Sequence, residues 1–155
     1  MALPYTFTNG TVADADEVNS NFDAVNSLGI YGGGLYYSSS ISYNVNTYVP
    51  VNGISVPHAT EDYMKIVVPV SGVLKNFYVD VITNSLDGTM SFTIRKNGVN
   101  TDLEVTYSSS ETGVKSDTSN TVSVSAGDVL SIRINTGGST SGSASKINWG
   151  LQIIK

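Results

Sequence analysis

Cysteine is absent from the 155 residues, which removes disulfide frameworks, thiolate nucleophiles and cysteine-ligated metal sites. Histidine occurs once, as His58 in VPHATED, so a mixed metal site or a histidine-based triad lacks partners, and no GxSxG context supplies a nucleophile. Long apolar runs are missing too. The longest aliphatic stretch, IVVPV from Ile66, is far too short to span a bilayer, and MALPYTFTNG has neither the basic flank nor the apolar core of a signal peptide. We expect a protein made in the cytoplasm without a signal peptide and not inserted into a membrane. Positive charge is scarce at the front: no Lys or Arg precedes Lys65, whereas Asp14, Asp16, Glu17, Asp23, Glu61 and Asp62 do. With a net charge of −5, this field disfavours phosphate backbones, and no nucleic-acid partner is expected.

The first 30 residues read as an arm and a short helix. Asp14 followed by Glu17 has capping-box spacing, and Asp14, Asp16 and Glu17 place negative charge where a helix N-terminus favours it. Gly29 supplies a stop. Val18, Phe22, Val25 and Leu28 fall on one narrow stripe, with Asn19 and Asn26 beside it. A helix of about a dozen residues is marginal alone in water, so the stripe needs a partner. The β-domain of the same chain and the same helix from neighbouring copies both satisfy that need.

From Gly32 onward the period becomes two, which predicts a β-domain over residues 31–155. Ile41, Tyr43, Val45, Thr47, Val49 and Val51 alternate with polar neighbours, as one strand or as two joined by a bend. Phe77, Val79 and Val81 follow, then Met90, Phe92 and Ile94, then Leu130, Ile132 and Ile134, and finally Ile147, Trp149, Leu151 and Ile153. Asn97-Gly98 between two alternating runs predicts a hairpin with a type I′ turn. About eight short strands at regular spacing predict an antiparallel β-sandwich, jelly-roll-like, behind a short N-terminal helix: a mainly β fold. YSSSETGVKSDTS after residue 107 and TGGSTSGSASK over residues 136–146 read as flexible loops.

Chemistry is sparse. The triplet Gly32, Gly33, Gly34 has no following Lys-Ser or Lys-Thr and precedes strand, so it is no phosphate loop. Asp102 and Glu104 share a face of one strand at a separation of about 6–7 Å, within range of a two-carboxylate mechanism, but any exposed strand face gives that pattern. No catalytic residue, metal or cofactor is expected. Tyrosine is the one enriched recognition side chain, with Tyr31, Tyr36, Tyr37, Tyr43 and Tyr48 close together. Tyr36 and Tyr37, with Ser109, Thr112, Ser139 and Ser141 in the two loops, are the candidate receptor contacts, and host surface glycan is the candidate ligand.

Phe7, Thr8, Gly10, Thr11, Ala13, Asp14, Ala15, Asp16, Val18, Asn19, Asn21 and Phe22 form a dense motif, F-T-x-G-T-x-A-D-A-D-x-V-N-x-N-F. It closely resembles the opening of bacteriophage virion proteins described as tail fibres, head fibres or related structural proteins. TIRKNGVNT and SVSAGDVLSIRI are similar to the small jelly-roll domains that end such fibres, and also to trimeric C1q- or TNF-type heads. The resemblance implies a homotrimer on the virion surface whose leader binds other virion proteins of capsid or tail, with Tyr5, Phe7, Val18, Phe22 and Val25 as the interface. Tail fibres usually carry a long stalk between anchor and head, and here only a few tens of residues intervene, so a short head fibre or capsid-decorating protein is favoured over the carbohydrate- or receptor-binding tip module of a tail fibre.

Overall fold

The computed structural model describes residues 6, 14–26 and 28–154. Helix α1 (Ala15–Asn26) leads into β1 (Leu28–Leu35), β2 (Ser40–Ser42), β3 (Asn46–Val49), β4 (Gly53–Ser55), a single 3-10 turn (Glu61–Met64), β5 (Ile66–Val67), β6 (Gly72–Asn84), β7 (Met90–Lys96), β8 (Val99–Tyr107), β9 (Gly113–Asp117), β10 (Val122–Val124), β11 (Val129–Asn135) and β12 (Ser143–Ile154). Asp14 caps the helix as its position predicts: its Oδ1 accepts the Asp16 N–H at 2.8 Å, and its carbonyl accepts the Val18 N–H.

The strands form two sheets. The first has the order β10-β6-β12-β1-β4, with β9 on the same edge of β6 as β10, and β2 on the same edge of β12 as β1. The second runs β3-β11-β7-β8, with β5 beside β3 along β11. All pairings are antiparallel except β1 with β4. This is the expected antiparallel-rich sandwich, jelly-roll-like and mainly β, with α1 in front.

Alternation fills the space between the sheets. Leu74, Phe77, Val79, Val81, Ile147, Trp149 and Leu151 meet Met90, Phe92, Ile94, Leu103, Leu130, Ile132 and Ile134, all essentially inaccessible. Each such side chain contributes roughly 1.5–3 kcal/mol by leaving water, and truncation to Ala also opens a cavity. The polar tips within this core are satisfied. The Trp149 indole N–H donates to Val51 O at 3.1 Å, and the Tyr107 hydroxyl lies 2.7 Å from Val79 O and 2.8 Å from Gly113 O. Burial, the first cause, pushes the Tyr107 hydroxyl up to about 12.

The Asn97-Gly98 turn is as expected, with φ of 52° and 80° at its two residues. Its side chain does more. Asn97 Nδ2 donates to Asp128 Oδ1 and Asn97 Oδ1 accepts the Val129 N–H, so the hairpin tip is fastened to the turn that precedes β11.

Several expectations change. Twelve strands, rather than about eight, are present among the described residues: β1, β4 and β9 are added, and residues 41–51 follow the two-strand alternative as β2 and β3, in different sheets and separated by Asn44 at φ 52°. Leu28 and Gly29 belong to β1, paired with Ile154 and Ile153, so the helix stops at Asn26 and the sandwich includes residues 28–30. Part of the loop expected to be flexible after residue 107 is strand β9, paired with β6, and residues 143–146 of the second begin β12.

Candidate functional site

Residues opposite one another in paired strands share a face, so the register fixes what each sheet shows to the outside. On the first sheet one outward row runs Val114, Asp80, Asn148, Gly34, Ile54; the next runs Ser116, Tyr78, Gly150, Gly32; a third places Gln152 beside Ile30. Ile30 is 83% exposed, Ile54 75% and Val114 67%, and Tyr78 stands half out of the surface. Ile82, one step along β6, is exposed as well. The register also puts Lys75 opposite Gln152 in the third row, so Asp80 and Lys75 are the two charges in these three rows. The rest is glycine, amide and hydroxyl.

This face is smooth and hollowed. A Cβ at Gly34 would lie 2.6 Å from Asn148 Oδ1 and 3.0 Å from Ile147 O, so a side chain there requires Asn148 to move, whereas a Cβ at Gly150 would meet nothing within 4 Å. Two open depressions flank Tyr78, both reaching Gly150: one of about 230 Å³ against Val114 and Asn148, the other of about 280 Å³ against Ile30 and Gln152. A half-exposed tyrosine thus stands between two shallow, mainly apolar hollows. Low charge and an exposed aromatic anchor are the composition of an interface centre rather than of a solvated sheet.

The outer face of the second sheet is the opposite case. Glu61, from the 3-10 turn, accepts from Arg95 Nε at 2.8 Å and from the Ser131 hydroxyl at 2.8 Å. Arg95 also reaches Gly98 O and Asn100 Oδ1, and lies over the Tyr48 ring at 5.6 Å. Arg133 donates to Asn46 Oδ1, and the Thr93 hydroxyl donates to Glu104 Oε2. Burial would raise the Glu61 carboxyl, but hydrogen bonds from Arg95 and Ser131 hold it below its ordinary value.

The loops, too, use their own polar groups. Asp87 accepts the N–H and hydroxyl of Thr140 and those of Ser141, and the Thr140 bonds hold its carboxyl far below the usual range. Ser109 and Ser110 hydroxyls donate to Leu86 O, and Glu111 accepts from the Ser108 N–H and from Lys115. Asp117, which burial would raise, is held low by Asn120 and by the Glu104 N–H, and it ties β9 to β8.

The predicted site residues scatter accordingly. Tyr5 and Phe7 lie outside the described residues, as do the side chains of Phe22 and Val25; Val18 is half-buried on α1. Of the candidate receptor contacts, Ser139 is 2% exposed and faces inward, a correction to its reading as a surface contact, because the loop closes over it when Asp87 binds Thr140 and Ser141. The hydroxyls of Ser109 and Ser141 are already engaged, and Thr112 is exposed. Tyr36 and Tyr37 are exposed neighbours, with ring centroids 4.9 Å apart. Asp102 and Glu104 both point outward from β8, with Glu104 held by the hydroxyls of Thr93 and Thr106. His58 accepts the Thr60 N–H, meets the Tyr63 ring edge-on at 4.8 Å between centroids, and pairs with Tyr48 as an isolated antiparallel bridge. Among the described residues, no group of three His, Asp or Glu is placed to hold a metal ion, and no helix is long and apolar enough to cross a membrane. The outer face of the first sheet escaped sequence reasoning.

No family model and no curated protein matches the chain. Solved structures match in fold. The Eiger TNF of S. frugiperda aligns with a TM-score of 0.50 at 18% identity, over 83% of this chain and 94% of that one. Murine APRIL aligns with a TM-score of 0.48 at 12% identity, over 82% of this chain and 99% of that one. The chain is thus similar to TNF-type jelly rolls in architecture, with little sequence in common.

Proposed function

We propose that this chain is a structural protein of a bacteriophage particle, a short head fibre or capsid-decorating protein displayed on the virion surface as a homotrimer. The observation that carries the assembly is the outer face of the first sheet, where Ile30, Tyr78, Val114 and Ile54 stand exposed among glycines and amides, with one acid, Asp80, and one base, Lys75, in those rows. Closed rotational symmetry is the usual way in which a chain covers such a face with copies of itself. The N-terminal motif supports the viral assignment, and its 7–22 segment supplies attachment to other virion proteins of capsid or tail. Three leaders on one trimer add weak contacts into a firm one.

The reading gives the chain no catalytic role and no cofactor. Gold-labelled antibody on purified particles tests the location: regular labelling of the particle surface is expected, and absence of the protein from particles contradicts the proposal.

A further inference from the structure

An Asn or Asp followed by Gly is a place where a folded chain can modify itself, because the glycine nitrogen, with no Cβ beside it, can reach the side-chain carbonyl carbon of the residue before it. Among the described residues this pair occurs as Asn52-Gly53, Asp87-Gly88 and Asn97-Gly98. Two of the three are locked. Asn97 donates from Nδ2 to Asp128 Oδ1 at 2.8 Å and accepts the Val129 N–H on Oδ1 at 2.9 Å, and Asp87 is held by Thr140 and Ser141. Neither side-chain carbonyl carbon can swing back onto the chain without breaking those bonds.

Asn52 differs. It is exposed, and its side chain has no hydrogen-bond partner among the described residues. Gly53 is exposed too, at φ 92°, and a Cβ built on it would meet nothing within 4 Å, so no neighbour crowds a ring closed between the two residues. β4, which Gly53 opens, is a three-residue strand at the end of the first sheet, paired with β1 alone. Brief openings of such an edge free the Gly53 nitrogen. The chain on either side is fixed. Val51 is fully buried and its carbonyl accepts the Trp149 indole N–H at 3.1 Å, while Ser55 O accepts the Tyr36 N–H at 2.9 Å.

We propose that Asn52 is a site of spontaneous deamidation and isomerisation, with water as the only co-reactant. The Gly53 nitrogen attacks Asn52 Cγ, the Cγ–Nδ2 bond breaks, and ammonia leaves with the proton from Gly53, which closes a five-membered succinimide. Water then opens the ring. Addition at Cγ breaks the new N–Cγ bond and gives aspartate; addition at the backbone carbonyl carbon of residue 52 breaks the original peptide bond and gives isoaspartate, whose chain runs through Cβ and Cγ. Either product carries one more negative charge than asparagine. Isoaspartate also adds one backbone carbon between the fixed points at Val51 and Ser55, so the pairing of Gly53 with Gly33 is lost and β4 leaves the sheet. Ile54 then leaves its outward row, a consequence for assembly that rests on the trimer reading.

The test is chymotryptic peptide mapping by mass spectrometry of the full chain after several weeks at mildly alkaline pH and body temperature, beside the same chain kept in denaturant. Residue 52 falls in the peptide of residues 49–63 and residue 97 in that of residues 93–107. In the folded chain the first peptide is expected to gain about 1 Da and to split into aspartate and isoaspartate forms, roughly tenfold faster than the second. In denaturant the two should convert at similar rates. Asn52→Ser should abolish the change in the first peptide and leave the thermal midpoint where it was. Hydrogen exchange at the Ile54 and Ser55 amides should quicken as isoaspartate accumulates. A first peptide that stays unconverted in the folded chain while the denatured chain converts, or residue 97 keeping pace with residue 52 in the folded chain, overturns the proposal; unchanged exchange after full conversion overturns the release of β4. Mapping reads the single chain, so its result is separate from the trimer and from the location on the particle.

Discussion

The two outer faces of the sandwich are built from the same alternating strands, yet they finish in opposite ways. On the second sheet Glu61 binds Arg95 and Ser131, Arg133 binds Asn46, and Thr93 binds Glu104, so the polar side chains there are satisfied by one another. On the first, Ile30, Tyr78 and Val114 stand in water between glycines, and beside them Asn76 Nδ2 donates to Gln152 Oε1 at 2.6 Å. A face that satisfies itself asks nothing of a partner. A face that leaves large apolar groups exposed around a raised tyrosine gains by being covered, at about 25 cal/mol for each Å² of apolar surface removed from water.

This difference separates stability from assembly, and mutations should report the two independently. The largest effect is expected from Gly150→Arg. A Cβ there meets nothing in the isolated chain, so the monomer should fold unchanged, while a long charged side chain in the hollows beside Tyr78 should abolish association. Light scattering for mass and circular dichroism for folding read the two outcomes. Glu61→Ala is the converse. It strands Arg95 and Ser131, whose partner it is, and should cost about 2 kcal/mol in denaturant unfolding while leaving association untouched.

The legibility of these features differs for a physical reason. Period-two alternation in β6, β11 and β12 was readable because every second side chain must face the core. The Asn97-Gly98 turn was readable because its signal is local. Strand β9 was not, since Gly-Val-Lys-Ser-Asp has a single aliphatic side chain and its strand state comes from pairing with β6. The apolar outer face was hidden for the same kind of reason: Ile30, Tyr78 and Val114 come from three strands, and only the register through β12 assembles them. Composition likewise misled about the serines. Those near residue 109 and those near residue 39 look alike in sequence, and only the distant Leu86 and Asp87 show which are already bonded.

A smaller and broader effect comes from pH. Glu61, Asp87, Glu111, Asp117 and Asp128 all have carboxyls held below their ordinary values in the folded state. Their contribution is present above the unfolded values and is lost as pH falls through the folded ones, so stability should be level above about pH 5 and decline below about pH 4. Tyr107 acts at the other end. Its folded value of about 12 exceeds the ordinary 10.0, so its contribution is full below pH 10 and is lost as pH rises toward 12. Thermal unfolding across this range checks both limbs. None of these acidic groups lies in the outward rows of the first sheet, so association should persist until unfolding begins.

If copies of the chain meet through the outer face of the first sheet, sedimentation equilibrium at micromolar concentration reads it as mass, with Tyr78→Arg run beside the unaltered protein. Three times the 16.4 kDa chain mass is expected for the unaltered protein and a single chain mass for the variant. A unaltered protein that sediments as one chain, or a Tyr78→Arg protein that remains trimeric, contradicts it.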